Sequence, residues 1–403
     1  MSGPLDGVRV VEVANWTFVP AAGAVLADLG ADVIKVEPPT GDPQRALRNF
    51  LNRSGEGPNP FTEIPNRGKR SVSCDLTTDA GRRALHAIVA TADVFITSYL
   101  APVRRKLRID VEDMRSANPS LIYVRGSGWG TQGPMADWGG FDMACGWATS
   151  GMAFKMTPPG GSIEPLAQPP AFFDLQGANT LAGAVGMALF KRAVSGEAPV
   201  VDVSLMHVGM WALGNDIVGA PWAGDIAGFG DRSRAPNPLV NGYATKDDRW
   251  IYFVLLQPDR YWEEFCRRLG RPDLFDDTRF TDFEGRYRNR RELIAALDAE
   301  FGGLTLDEVR SNFAGFSGVW APVLRPSELV DHPQVEVNGY MPAVRGRDGS
   351  DFRVVAAPVL FEGHATAPGG PAPTIGQHTD EVLHEVGLDA SAIGALREEG
   401  GLG

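Results

Sequence analysis

Cysteine is scarce in this chain. Among 403 residues only Cys74, Cys145 and Cys266 occur, far apart and without a CxxC pair. Three thiols cannot all pair within one chain, so a reduced, intracellular protein without a disulfide scaffold is expected. Histidine is sparse too. None of His86, His207, His332, His364, His378 and His384 falls in an H-x-x-x-H or H-E-x-x-H spacing, which leaves a zinc-hydrolase or structural metal site unsupported. The sequence has no G-x-S-x-G for a serine-hydrolase elbow and no G-x-x-x-x-G-K-[ST] for a P-loop. It also lacks an excess of positive charge. A formal charge of -12 excludes the broad basic face of a general nucleic-acid binder. Long apolar runs are absent: the stretch Ala21 to Ala31 is broken by Gly23 and Asp28, and none approaches the roughly 20 residues that span a bilayer. The first residues have no positively charged start before an apolar core, so no signal peptide is expected and the cytoplasm is the expected location.

The composition that remains, 43% apolar and 22% charged, is that of an ordinary globular protein. The length favours two domains over one core. Val8 to Val13 reads as a buried strand, Pro20 to Leu29 as a helix stopped by Gly30, and Asp32 to Glu37 as a second strand. Strand, helix and strand within thirty residues form a βαβ unit and imply a parallel sheet. The alternation continues with a helix over Asp79 to Thr91, a strand over Val94 to Thr97, a helix over Val111 to Ala117 and a strand over Leu121 to Val124. From Gly126 to Pro170 the chain is rich in Gly, Ser, Thr and Pro, which predicts loops able to line a site. A long helix follows from Asp174 to Arg192, then a strand over Val200 to Leu205. A linker is expected near Gly219 to Pro238. The run Trp250 to Leu256 opens a second module with helices over Tyr261 to Leu269 and Arg290 to Phe301, and a last helix is predicted over Asp380 to Val386.

The turn after the first strand reads Ala14-Asn15-Trp16-Thr17-Phe18-Val19, bulky where a dinucleotide pyrophosphate requires glycine. NAD and flavin are therefore excluded as expectations. Asp174 stands at the predicted start of the long helix, where an aspartate commonly caps free amides. The same place suits a nucleophile, because the positive helix end is expected to lower a carboxylate pKa and keep it ionised. Asp142, in Gly139-Gly140-Phe141-Asp142, is a turn aspartate or a second carboxylate for that site. Lys69-Arg70 and Arg104-Arg105-Lys106 are solvated surface or phosphate ligands.

Several segments together resemble one family. Pro4-Leu5-Asp6-Gly7-Val8-Arg9-Val10, then Leu29 to Pro39 with Gly41-Asp42, then Asn66-Arg67-Gly68-Lys69-Arg70-Ser71 appear in order. Asp174-x-x-Gly177 with Val201 to Leu205, and Ile375-Gly376-Gln377-His378-Thr379 through Leu383, complete the set. The chain resembles the class III CoA-transferases of the CaiB/BaiF type, which include formyl-CoA and carnitine CoA-transferases and are related to α-methylacyl-CoA racemases.

That resemblance implies an α/β fold with a Rossmann-like large domain and a smaller α+β domain. The large domain would comprise residues 1–220 with 331–403 returning to it, and the small domain residues 221–330. Two chains would form an interlocked homodimer. It further implies coenzyme A as substrate and product, an acyl-CoA donor, a carboxylic acid acceptor, and no metal. Asp174 would be the covalent nucleophile, with Asp142 orienting it. Trp16, Pro38, Cys74, Thr77, Ser98, Tyr99 and Lys106 fall at positions that contact CoA in relatives. Thr77 stands where a lysine is common, Pro38 where some members place arginine, and Ser98 to Pro102 departs from N-F-x-P-G. A racemase relative needs an acid/base pair, but Phe141 and Gln257 occupy those positions here and neither exchanges a proton. The racemase, disfavoured on those two residues, and a non-catalytic acyl-CoA-binding protein are the alternatives to a transferase. Trp16, Phe18, Trp129, Trp147 and Phe172, with the segment Thr157 to Pro170, suggest a partly apolar pocket for an aliphatic or aromatic acid.

Overall fold

The valine-rich run Arg9–Val13 forms β1, buried at every residue after Arg9. A strand covered on both faces is apolar along its length rather than alternating, and β-branched residues suit it. Helix α1 (Phe18–Asp28) follows, Gly30 turns the chain at φ 99°, and β2 (Asp32–Glu37) runs parallel to β1. This is the expected βαβ unit. After α2 (Pro60–Asn66) comes β3 (Arg70–Ser73), whose sequence RSVS gives no strand signal of its own. The alternation proceeds through α3 (Asp79–Val89), β4 (Val94–Thr97), α4 (Ala101–Leu107), α5 (Val111–Ala117) and β5 (Ile122–Ser127). The strand β6 (Val200–Ser204) completes a six-stranded sheet of order β3-β2-β1-β4-β5-β6, parallel throughout. The protein is thus α/β with a parallel central sheet. The order reverses between β1 and β4, and in open α/β sheets ligands bind beyond the carboxyl ends of the strands at such a point.

This architecture comes from a computed structural model that describes residues 2–50, 57–157, 166–225, 231–364 and 366–403. Two compact units are present. One comprises Met1–Phe154, Leu166–Gly224 and Pro333–Gly403, the other Lys155–Pro165 and Asp225–His332. In the first unit the two faces of the sheet hold separate cores. Val10, Ile96 and Val124 pack with Ala22, Leu181 and Val185 on one face. Val11, Phe95 and Tyr123 pack with Leu85, Met114 and Leu383 on the other. The alternation of successive strand residues between those cores is the period-two pleat at work.

Between β5 and β6 the chain is less loop-like than expected. A short wide helix spans Met143–Ala148, followed by α6 (Met152–Met156) and the 24-residue α7 (Phe172–Ser195). Residues 158–165 of the expected pocket segment Thr157 to Pro170 lie outside the described residues. After β6 come α8 (Leu205–Ala212) and α9 (Gly214–Ala223), so Gly219 to Ala223 is helix and not the start of a linker. The end of the chain lines the outer edge of β3. His378 donates its amide to Ser71 O, the Ser73 amide donates to Thr379 Oγ1, and Cys74 bridges Leu402. A sheet edge covered this way presents no row of free amides.

The second unit is built on an antiparallel sheet of β7 (Val240–Ala244), β8 (Trp250–Val254) and β9 (Trp320–Pro322). Its core is aromatic: Phe253, Phe265, Phe301 and Phe313 meet at centroid distances of 5.0 to 6.3 Å.

Candidate active site

The turn from β1 into α1 sits at the carboxyl end of the central strand, and three consecutive residues of it are pinned by different elements. Ala14 O accepts from Lys35 Nζ of β2 at 2.9 Å. The Asn15 amide donates to Ser98 Oγ, just past β4, at 3.0 Å. The Trp16 amide donates to Asp42 Oδ1 at 3.1 Å. Trp16 itself lies at φ 70°, a left-handed conformation that a bulky residue adopts only when its surroundings impose it. Its ring, about one-third exposed, meets Phe141 edge-on at 5.3 Å.

Beneath the turn lies a fully buried ionic cluster. Lys35 Nζ also pairs with Glu12 at 2.9 Å and with Asp42 at 3.0 Å. Lys69 Nζ takes the other oxygen of Glu12 at 2.6 Å and donates to Pro20 O at 2.8 Å. Burial opposes the charge on Lys35, but Glu12, Asp42 and Glu37 outweigh it and hold the ammonium above its ordinary range. Lys69 goes the other way: burial, aided by Lys35 and resisted by Glu12, lowers it to about 8. Both lysines share Glu12, but Lys35 has Asp42 as a second direct partner, and that extra carboxylate accounts for the difference.

The second half of the site is the start of α7. The helix begins at Phe172, and its cap position is Ala171 at φ 59°. Asp174 therefore lies within the first turn and does not cap the helix, contrary to the expectation from sequence. Tight glycine contacts place it. A Cβ on Gly177 would fall 2.6 Å from the Phe18 ring of α1, and a Cβ on Gly146 would fall 2.6 Å from Phe173 Cβ. The first contact seats α7 on α1, and the second brings the Met143–Ala148 helix, with Asp142 at its head, against the residue next to Asp174. Cys145 Sγ in turn wedges between Gly128 and Gly140, where added Cβ atoms would lie 2.8 and 2.4 Å away. Gly128, Gly140, Gly146 and Gly177 thus serve close packing.

Asp142 is buried, makes no capping bond, and its Oδ2 has no hydrogen-bond partner, so it is not a turn aspartate bonded to its own backbone. Asp174 is half-buried. Its carboxyl is pushed up to about 8, first by burial and then by the like charge of Asp142. This reverses the expectation that the helix end keeps it low: desolvation and repulsion win over the dipole. Burial raises the thiol of Cys145 to about 12, and the charges of Asp142 and then Asp174 add to that.

A cavity of about 220 Å³ opens at the carboxyl ends of β1 to β4. Pro38, Cys74, Thr77 and Tyr99 all line it, with Val103 and Leu107 of α4. Cys74 is buried there and its Sγ donates to Gly81 O at 3.0 Å.

The sequence matches CoA-transferase family III over residues 5–379. The chain belongs to CoA-transferase family III. Relatives of this transferase include the (R)-2-hydroxy-4-methylpentanoate CoA-transferase of Clostridioides difficile, 28% identical over 98% of each chain. The cinnamoyl-CoA:phenyllactate CoA-transferase of Clostridium sporogenes is 29% identical, covering 98% of this chain and 96% of its own. Among solved structures, a CaiB/BaiF family protein from Brucella suis superposes with a TM-score of 0.82 at 26% identity, over 96% of this chain and 100% of that one.

The transferase brings together Trp16 of the pinned turn with Ser98 beside it, Pro38, Cys74, Thr77 and Tyr99 in the cavity, and Asp142 with Asp174 across the packed glycines. Lys106 is exposed on the last turn of α4 and is not part of the cavity lining. The phosphate reading of Lys69-Arg70 does not hold: Lys69 is buried on Glu12, and Arg70 is committed to Asp32, Glu381 and Glu385. Arg104 is likewise turned inward, onto Asp110 and Tyr99 O. Phe18 and Trp147 are buried, so Trp16, Phe141 and Phe172 carry the open aromatic surface instead. Reading the sequence missed the ionic cluster and Phe141 as a wall against Trp16. The signal for the cluster was present in the charged residues Glu12 and Lys35 inside strands that must be buried on both faces.

Proposed function

We propose that this transferase moves coenzyme A from an acyl-CoA donor to a carboxylic acid through a covalent intermediate on Asp174. The observation that carries the reading is a carboxyl in the first turn of a long helix, close to a second buried carboxylate with an unpartnered oxygen. Ionised Asp174 attacks the thioester carbonyl, and the C–S bond breaks to give a mixed anhydride and CoA thiolate. The thiolate attacks the aspartyl carbonyl, releasing the donor acid and leaving an aspartyl-CoA thioester. The acceptor carboxylate then displaces the thiolate to form a second anhydride. Attack of the thiolate on the acceptor carbonyl yields the new CoA ester and restores the Asp174 carboxylate. Every step conserves charge and needs no external oxidant or base. Amides at the head of α7 are suitable donors to the oxyanions. Asp142 orients Asp174, and its charge makes the carboxylate more nucleophilic once ionised.

The pinned turn and the cavity together support a CoA site made by Trp16, Pro38, Cys74, Thr77, Ser98 and Tyr99, with Lys106 at its outer edge. Similarity to transferases named for a branched 2-hydroxy acid and for phenyllactate supports an acceptor with an apolar or aromatic side chain. The exposed rings of Trp16, Phe141 and Phe172 fit that chemistry. The strand order β3-β2-β1-β4-β5-β6 supports a Rossmann-like large domain drawn from residues 1–220 and 331–403, with a small domain from 221–330. A homodimer belongs to the same proposal. Met187, Phe190 and Val194 on α7, with Trp211 and Trp222, are about 70% or more exposed, an apolar surface characteristic of an interface.

The test is chemical trapping. Enzyme loaded with an acyl-CoA donor and quenched with hydroxylamine should yield a hydroxamate at Asp174 by peptide mass spectrometry. Asp174→Ala should abolish both the adduct and CoA exchange. An Asp174→Ala protein with undiminished exchange would sink the covalent route.

A further inference from the structure

The segment after β2 grips the Trp16 turn at two successive residues. Asp42, 2% exposed, accepts the Trp16 amide at 3.1 Å and the Gln44 amide at 3.0 Å through Oδ1, while Oδ2 takes Lys35 Nζ. The Asp42 amide in turn donates to Glu37 Oε2 at 3.0 Å. Gln44, also buried, donates through Nε2 to Thr17 Oγ1 at 2.9 Å.

What this grip fixes is the indole. At φ 70° Trp16 stands where glycine fits without steric cost, and the bond to buried Asp42 offsets part of the strain. The ring meets Phe141 at a centroid distance of 5.3 Å and an interplanar angle of 87°. Phe141 is fixed as well, because its carbonyl accepts the amides of Ala144 and Cys145 at 2.9 Å each. It directly precedes Asp142, whose charge reaches Asp174. Both rings keep open surface, Phe141 over half of its own. An edge-on pair leaves ring faces uncovered, and a third aromatic ring completes such a corner by stacking or by another edge contact. A methyl group has too little area to gain as much there.

We propose that Asp42 is a positioning residue for the transfer reaction: through the Trp16 amide it holds the indole against Phe141, and the two rings select an acid that carries an aromatic ring. The inference rests on the transferase reading above and narrows its acceptor class. Asp42 does not touch the acid itself; it acts through Trp16.

The test compares 3-phenylpropanoate with propanoate, acids that differ by one phenyl ring, as acceptors of CoA from acetyl-CoA. Wild type should favour the phenyl acid about tenfold in kcat/KM, with the difference lying in KM. Trp16→Ala should bring that ratio close to one. Asp42→Ala should do the same, and the double variant should go no further, since the two residues act in series. Asp42→Asn loses the Lys35 ion pair but keeps an oxygen for the Trp16 amide. It should retain most of the preference while sharing the lower thermal stability, which separates positioning from a general loosening of the fold. Should Asp42→Ala fail to fold, Lys35→Met/Asp42→Ala removes one charge of each sign, leaves Glu12 with Lys69, and carries the same expectation. Selectivity that survives Asp42→Ala or Trp16→Ala, or that Asp42→Asn loses equally, overturns the inference. Wild type that uses both acids equally well also overturns it, yet leaves the transferase reading standing. No ester from either acid does so too, and absence of the Asp174 hydroxamate in the same preparation shows that the transferase reading has failed with it.

Discussion

Substituting Asp142→Asn should shift the pH at which this transferase becomes active, and the structure fixes the direction. Asp174 must be ionised to attack, but burial and the Asp142 charge hold its carboxyl at about 8. At pH 7 only about one-tenth of the free enzyme then carries the nucleophile, given one pH unit below the midpoint. The value of kcat/KM should rise nearly tenfold per pH unit up to about pH 7.5 and level off above 8. Burial is the larger cause and survives the substitution, so the midpoint should not return to the ordinary carboxylate range. Removing the like charge should lower it by on the order of one pH unit. At pH 7 the ionised fraction would climb from about one-tenth to about one-half, a gain of roughly fivefold in that factor. The plateau at pH 9 reports separately on any orienting role, which can only reduce it. The assay is kcat/KM for an acyl-CoA donor from pH 5.5 to 9.5 at constant ionic strength. A wild-type midpoint below about pH 6 refutes the reasoning, as does an Asp142→Asn midpoint that stays in place or moves upward.

The same carboxyl links stability to pH. Its folded pKa of about 8 exceeds the ordinary 3.8, so its contribution is full below about 4 and is lost as pH rises through 8. Asp174→Asn should flatten the thermal-stability profile over that window, and an unchanged slope would contradict the burial described. Lys35→Met leaves Glu12 and Asp42 short of a partner at zero exposure and should destabilise by about 3 to 5 kcal/mol in chemical denaturation; a loss under 1 kcal/mol would show that water reaches the cluster. Gly146→Ala pushes a methyl against Phe173 and should cut kcat at least tenfold through displacement of Asp174, with CoA affinity nearly unchanged. His378 accepts the Ser71 amide through Nδ1, and burial lowers its pKa. Its contribution is present above the unfolded value near 6.5 and is lost as pH falls through the folded one. The protection factor of the Ser71 amide, taken against its intrinsic exchange rate at each pH, should therefore fall on acidification, and His378→Phe should remove that dependence.

Much of the α/β frame was legible because local pattern and burial agree there. The strand Asp32–Glu37 and the helices Val111–Ala117 and Arg290–Phe301 have the bounds that periodicity predicts. Strand β3 was not legible. RSVS lacks a β-rich run, and it is a strand only because β2 and the chain end flank it. The first turn of α7 was misplaced for a related reason: a strained Ala171 starts the helix where an aspartate cap is the ordinary signal. The carboxylate pair was visible as two aspartates but not as a pair. Their approach depends on Gly146, Gly128 and Gly140, whose role is to be small against specific neighbours, and composition read as loop could not report that.

The buried ions under the Trp16 turn bear on how this chain can change over generations. Lys35 serves Glu12, Asp42 and Ala14 O at once, and Glu12 serves two lysines. Loss of any one member strands its partners without water, so each single step away from the present arrangement runs downhill in fitness even where a four-residue apolar replacement would fold as well. Such positions are epistatically locked. Laboratory evolution toward new acids should leave Glu12, Lys35, Asp42 and Lys69 untouched while Phe141 and Phe172, whose rings are exposed, vary first.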